Sequence, residues 1–164
     1  MLEAHILITD KSKAATLTLA LKFDDRQKSR HKAQTTCGQT LGWFIERGRI
    51  LKDGDVLQCT DGTLVKIVAS DESVSTVYAK TALDLLRAAY HLGNRHVPLQ
   101  ITSDFVRFQH DHVLDDMVRG LGLSVASEQA PFQPEPGAYS AAGHSHSHAL
   151  SPRQVHVHTH KHEH

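Results

Sequence analysis

The order of the predicted elements between residues 73 and 126 restricts the fold of this chain more than any other feature of its sequence. Strands are predicted at residues 74–79, 96–101, 104–109 and 123–126, with one helix from residue 82 to Gly93 and another from Asp111 to Gly122. The resulting β-α-β-β-α-β order is typical of a ferredoxin-like domain, in which two helices cover one face of an antiparallel sheet. The other face of the sheet is then available to a partner.

Both predicted helices have an N-terminal cap and an apolar stripe. Thr81 and Asp84 have the form of a capping box, and Asp111 is a good N-cap for the second helix. The residues predicted to face inward are Ala82, Leu85, Leu86, Ala89 and Leu92 in the first helix, and Val113, Leu114, Met117, Val118 and Leu121 in the second.

The sequence before Ser70 has the pattern of an all-β unit. Strands are predicted at residues 17–21, 27–35, 41–45, 56–59 and 64–68, with turns at 36–39 and at Asp61-Gly62. Lys28, Arg30 and Lys32 fall on one face of the second strand, and Arg26 continues the same alternation. This basic face is either a solvated outer surface or a docking strip for an acidic partner segment.

Composition excludes several classes of protein. The 164 residues contain 18 Lys plus Arg and 18 Asp plus Glu, so the net charge gives no attraction to nucleic acid or to an anionic membrane. No signal peptide or membrane-spanning stretch is recognisable, and we expect a cytoplasmic protein. Cys37 and Cys59 form no CxxC pair, which fits two free thiols, with Cys37 exposed in a turn and Cys59 in the core.

Histidine is the residue in excess, and 14 are present. Eight of them lie at the C-terminal end: His144, His146, His148, His156, His158, His160, His162 and His164. This tract follows a Pro- and Gly-containing linker and is predicted to be disordered. We therefore divide the chain into a β-rich domain (1–72), a ferredoxin-like domain (73–128) and a linker with a His-rich tail (129–164), an α+β protein overall. A cloning tag is a weaker explanation, because the histidines are interleaved with other residues.

Three further histidines are candidate metal ligands. His110 and His112 flank Asp111, and His96 is followed two positions later by Pro98, which favours a sheet edge. A lone His96 cannot hold an ion, but a two-fold dimer would supply a second copy near the axis. His-x-His pairs also occur by chance on surfaces, and His5, His31 and His91 have the pattern of ordinary polar residues. No catalytic residues are predicted.

The same residues resemble the UreE family of urease accessory proteins, which are nickel metallochaperones. The similar stretches are residues 23–30, 48–57, 89–98 and 110–114, and the most specific are GNRHVP at 93–98 and HDH at 110–112. The resemblance implies a homodimer with a β-rich peptide-binding domain and a ferredoxin-like metal-binding domain. It also implies nickel between paired His96 residues, auxiliary binding at His110 and His112, and delivery to apo-urease through an accessory complex containing a GTPase.

The sequence alone leaves two other functions open. Imidazole ligands bind copper and zinc as well as nickel, so a general copper, zinc or nickel storage protein is an alternative. A metal-dependent hydrolase using His96, His110 and His112 is less favoured, because no Glu or Asp is placed as a general base.

Overall fold

The computed structural model describes residues 1–137 as a mixed α+β protein with two β-sheets. The first sheet contains six strands in the order β2-β6-β5-β1-β4-β3. Its elements are β1 (Leu2–Ile8), β2 (Leu17–Leu21), the helical turn α1 (Phe23–Arg26), β3 (Arg30–Gln34), β4 (Thr40–Phe44), β5 (Val56–Cys59) and β6 (Leu64–Ala69).

The second sheet contains four strands and is associated with two helices. Its elements are β7 (Asp71–Tyr78), α2 (Ala82–Gly93), β8 (Gln100–Ile101), β9 (Phe105–Gln109), α3 (His112–Gly120) and β10 (Ala126–Pro131). The strand order is β10-β7-β9-β8, and each neighbouring pair is antiparallel. Both helices contribute to one apolar cluster with β7 and β9, in which Ala88 and Val118 are fully buried against Val77, Val106 and Phe108.

The β-rich half has the alternating pattern that its sequence predicts. Along β6, Val65, Ile67 and Ala69 are buried while the residues between them are partly exposed. The indole of Trp43 is fully buried, and its Nε1 donates a hydrogen bond to the carbonyl oxygen of Lys28 at 2.9 Å. Trp43, Val65 and Ile67 belong to the same buried apolar cluster.

The two thiols lie where they were predicted. Both are free; Cys37 is exposed in the turn between β3 and β4, and Cys59 is buried at the end of β5. The turn passes through Gly38 with φ +83°, a backbone conformation that glycine adopts without steric cost.

Arg26 is not on a basic strand face, and this prediction was wrong. Residues 23–26 form a helical turn, so the following strand begins only at Arg30. The Arg26 side chain is 2% exposed; its Nη1 donates to the carbonyl oxygen of Leu51 at 3.2 Å and its Nη2 to that of Phe132. Burial lowers the pKa of its guanidinium. Arg30 and Lys32 remain exposed on the strand.

Both predicted helix caps are confirmed. The hydroxyl of Thr81 accepts a hydrogen bond from the Asp84 amide at 3.2 Å, and the Asp111 carboxylate accepts from the amides of Val113 and Leu114 at 2.8 and 3.2 Å.

The apolar stripes were predicted too wide. Leu86 is 67% exposed and Val113 is 62% exposed, although both were expected to face inward. Leu86 follows Leu85, and Val113 precedes Leu114; Leu85 and Leu114 pack on the core. Because neighbouring residues of a helix lie about 100° apart around its axis, the two helices bury a narrower face than the sequence pattern suggested.

The last strand lies further along the chain than predicted. The structure has β10 at Ala126–Pro131, where residues 123–126 were expected, and its pairing with β7 ends at Pro131 opposite Asp71. Phe132 follows, fully buried in a cluster with Phe23 and Val74. The chain is therefore packed beyond residue 128, where a linker was predicted, because Phe132 packs against Phe23 of α1 and Val74 of β7.

Among the helices described between residues 1 and 137, none is long and apolar enough to cross a membrane. The predicted His-rich tail, residues 144–164, lies outside the described residues.

Candidate metal centre

His96 lies in a tight turn that follows α2. The amides of Asn94, Arg95 and His96 donate hydrogen bonds to the carbonyl oxygens of Tyr90, Leu92 and Gly93 at 3.0 to 3.1 Å. His96 is exposed and has φ +57°, in the left-handed region that residues other than glycine rarely adopt. Such backbone conformations cluster at functional sites.

The strand predicted from residue 96 is shorter in the structure. β8 begins only at Gln100, because the chain first completes the turn through His96 and then passes Pro98, which has no amide hydrogen for a ladder. His96 therefore lies in a loop and not in a strand.

His110 lies at the end of β9, just before the cap of α3. Its backbone amide donates to the carbonyl oxygen of Ser73 at 3.1 Å, which fixes the main chain at this point. Its Nδ1 lies 3.0 Å from Ser75 Oγ, 3.3 Å from Ser127 Oγ and 3.4 Å from Asp115 Oδ2. The side chain is 41% exposed, so one ring nitrogen contacts the protein while part of the ring faces solvent.

Asp115 is a neighbour of this site that the sequence reasoning missed. From the sequence, Asp115 and Asp116 both fall in the first turn of the second predicted helix, where carboxylates offset the helix dipole. In the structure the Asp116 side chain is 75% exposed, whereas that of Asp115 is 4% exposed and faces His110. Asp115 lies five residues after His110, on the other side of a helix cap, and this spacing only weakly indicates a contact between the two side chains. No periodicity in the sequence indicates the contact.

His112 is the first residue of α3 and is exposed. The carboxylate of Asp111, between the two histidines, is already used as the helix cap.

The three remaining histidines before residue 138 contact aromatic rings. His5 stacks on Phe44 at 5.2 Å, His31 meets the edge of Trp43 at 5.3 Å, and His91 meets Tyr90 at 5.2 Å. His31 also lies 3.3 Å from Asp25. These contacts fit the ordinary polar roles predicted from the sequence.

Within residues 1–137, no three His, Cys, Asp or Glu side chains are gathered closely enough to hold an ion. The structure of one chain thus does not bring His96, His110 and His112 together as a three-ligand cluster. Imidazole nitrogens at these positions are donors suited to nickel, copper or zinc.

The loop after His96 also holds the start of the C-terminal segment. The Glu135 amide donates to the carbonyl oxygen of Leu99 at 2.7 Å, and the Gln133 amide donates to the side-chain oxygen of Gln100 at 3.0 Å. Residue 135 is therefore held beside a residue only three positions from His96.

Helix α2, which leads into this loop, has an apolar outer face. Leu83, Leu86 and Tyr90 lie at helical spacing and are 64%, 67% and 67% exposed. Large apolar side chains grouped on a surface are typical of an interaction site.

Comparisons with known proteins agree across the chain. Residues 2–70 match the family model described as UreE urease accessory protein, N-terminal domain, and residues 72–164 match the corresponding C-terminal domain. A urease accessory protein UreE from Teredinibacter turnerae is 61% identical over 125 residues, which are 76% of this chain and 81% of that protein. Another, from Saccharophagus degradans, is 57% identical over 148 residues, 88% of each chain.

Proposed function

Because the chain belongs to the UreE family of urease accessory proteins, we propose that it is a nickel metallochaperone that binds Ni(II) through histidines and delivers it to apo-urease. The family consists of accessory metallochaperones and not of enzymes, so the hydrolase hypothesis was wrong. The observation on which this proposal depends is the match of both family domains, which together account for nearly the whole chain.

The active form that we propose is a homodimer. The exposed apolar face of α2, formed by Leu83, Leu86 and Tyr90, offers a surface that a second copy could cover. In a two-fold interface each surface meets itself, so the loop after α2 would meet its own counterpart. Two His96 imidazoles would then lie opposite each other and share one ion.

Capture by the tail followed by transfer to His96 is the route that we propose for the metal. Glu135 is held beside Leu99, and His144 follows nine residues later. Nine extended residues span at most about 32 Å, so the first tail histidine lies within reach of the His96 loop. A tethered donor acts at a high effective concentration, which favours transfer. His110 and His112 would assist as auxiliary ligands.

We further propose that residues 73–128 belong to a ferredoxin-like metal-binding domain whose last strand continues to Pro131, that residues 1–72 are a peptide-binding domain, and that the linker and His-rich tail follow Phe132. The strand order β10-β7-β9-β8 with antiparallel neighbours supports the first assignment. The partners would be apo-urease and an accessory complex containing a GTPase, in the cytoplasm, where the two free thiols fit a reducing environment.

The central test is replacement of His96. His96→Ala should remove the tightest nickel-binding step in calorimetry and should fail to restore urease activity in a nickel-limited strain lacking the protein. His5→Ala is a matched control, because His5 is an exposed imidazole of the first sheet. An unchanged first binding step in His96→Ala would contradict the proposal.

The same strain separates a nickel carrier from a general metal buffer. Copper outranks nickel at most imidazole sites, so binding alone does not distinguish the two functions. A protein that binds nickel, copper and zinc in competition experiments but does not restore urease activity would be a buffer.

The contribution of the tail is tested by ending the chain after Gly143. The truncated protein should bind fewer nickel ions per dimer and keep its fold and dimeric state, because it retains Phe132 and the buried clusters found within residues 1–137. Dissociation or precipitation of the truncated protein would instead assign the tail a structural role.

A further inference from the structure

We propose that Asp115 is a positioning residue for metal binding, which holds the proton of the neutral His110 ring on Nδ1 and leaves the Nε2 lone pair for the ion. The inference rests on the proposed function in taking His110 as a nickel ligand. The first part of the inference, the tautomer of His110, concerns the metal-free protein and can be measured without reference to nickel binding.

Three oxygen atoms surround His110 Nδ1. Ser75 Oγ lies at 3.0 Å, Ser127 Oγ at 3.3 Å and Asp115 Oδ2 at 3.4 Å. The two serines come from neighbouring strands, since Ser127 of β10 is paired directly with Ser75 of β7. Asp115 reaches the same point from the first turn of α3. The Nδ1 side of the ring is therefore enclosed by three separate elements.

The carboxylate decides which ring nitrogen bears the proton. A serine hydroxyl can donate or accept, so Ser75 and Ser127 are compatible with either tautomer. An ionised carboxylate can only accept, and at 3.4 Å it would repel a lone pair on Nδ1. A proton on Nδ1 turns this repulsion into attraction. The neutral ring then has its lone pair on Nε2, the nitrogen on the opposite edge from this enclosure.

The burial of Asp115 needs this explanation. A carboxylate that only offsets the helix dipole can remain in water, as Asp116 does at 75% exposure. The Asp115 side chain is 4% exposed; its Oδ1 is buried with no hydrogen-bond partner among the described residues, and its Oδ2 is the oxygen that lies nearest to His110. Burying a carboxylate in this way is costly, and a partner is expected.

Arg119 is a more distant partner of this carboxylate than His110. Its Nη1 lies 3.2 Å from Asp116 Oδ1, whereas its Nη2 is 4.0 Å from Asp115 Oδ2. The Arg119 side chain is also 52% exposed, so its pairing is mainly a surface contact with Asp116. His110 is the nearer nitrogen to the buried carboxylate.

This arrangement matches the way in which proteins orient metal-binding imidazoles. A ligand histidine usually donates its other ring N–H to a carboxylate or carbonyl, which fixes the ring and raises the basicity of the ligand nitrogen. Loss of such a partner typically lowers metal affinity by about 10- to 100-fold.

The first test uses the metal-free full-length protein with ¹⁵N-labelled histidine. Long-range ¹H–¹⁵N spectra distinguish the two neutral tautomers, and the His110 signals are assigned as those lost in His110→Gln. We expect His110 to be the Nδ1–H tautomer above the titration range of imidazole. An Nε2–H tautomer in the wild type would overturn the inference. Because no metal is present, this result does not depend on nickel being the cargo.

The second test compares Asp115→Asn with Asp116→Asn in the full chain. The asparagine at 115 can donate as well as accept, so the preference for Nδ1–H should weaken, and nickel affinity at the His110-dependent step should fall about 10- to 100-fold. Asp116→Asn, an identical change on the exposed side of the same turn, should alter neither the tautomer nor the affinity.

A double variant separates positioning from general damage. If Asp115 acts through His110, Asp115→Asn should cause no further loss of affinity in a His110→Gln background. An equal loss in both backgrounds would show that Asp115 acts on the fold and not on the ligand. Should Asp115→Asn unfold, the wild-type tautomer still decides the matter, with Ser75→Ala expected to leave it unchanged.

Discussion

Replacement of Phe132 by alanine tests the packing that holds the C-terminal segment against α1 and β7. Phe132 is fully buried, and its ring meets the edge of the Phe23 ring at 5.3 Å, with Val74 completing the cluster. A buried Phe→Ala change typically costs about 3 to 5 kcal/mol, from lost apolar burial and from the cavity that remains. For a chain of this size, about 2 to 4 °C of melting temperature is lost per kcal/mol, so we expect a decrease of about 6 to 20 °C.

The measurement is thermal unfolding followed by far-UV circular dichroism, with Trp43 fluorescence in parallel. Trp43 is the single tryptophan and lies in the first sheet, so a matching shift in its signal would show that Phe132 also stabilises that sheet. Phe44→Ala is the control, because Phe44 is only partly buried and should lose about half as much or less. A decrease below about 2 °C for Phe132→Ala would refute this account of the core.

Three further outcomes follow from local geometry. The hydrogen bond with the Thr35 hydroxyl lowers the pKa of Cys37, and burial raises the pKa of Cys59. At neutral pH iodoacetamide should therefore modify Cys37 before Cys59, as followed by mass spectrometry. Equal rates of modification would contradict this. Asp111→Ala should destabilise the protein by about 1 kcal/mol in urea unfolding through loss of the α3 cap, and no change would mean that the cap is redundant. His96→Val should be less stable than His96→Asn by about 1 kcal/mol in urea unfolding, because Asn tolerates a positive φ and Val does not. Both variants should lose nickel binding, and equal stabilities would show that the turn is unstrained.

Local signals predicted the helix caps, the turn at Gly38 and the free thiols. Thr81 and Asp111 cap their helices through hydrogen bonds to amides two or three residues away, and such contacts can be read directly from sequence. The turn at Gly38 and the free thiols were predicted for the same reason, since each depends on its own neighbourhood.

Contacts between distant residues could not be predicted in this way. Arg26 looked like a surface residue because nothing nearby reveals the carbonyl oxygens of Leu51 and Phe132 that it binds. Phe132 looked like part of a linker because Pro131 and Pro134 flank it, and its burial depends on Phe23, more than a hundred residues earlier. At the candidate site, the histidines were found by residue type, but Asp115 emerged only once β7, β10 and α3 met around His110.

The two hydrogen bonds that Gln133 and Glu135 make with Gln100 and Leu99 determine where mechanical tension from the C-terminal end enters the fold. A pull on that end loads the loop after His96 before it reaches strand β10. A molecule that binds the C-terminal end and draws it outward would therefore pull first on Leu99 and on Gln100 at the start of β8, three and four residues after His96.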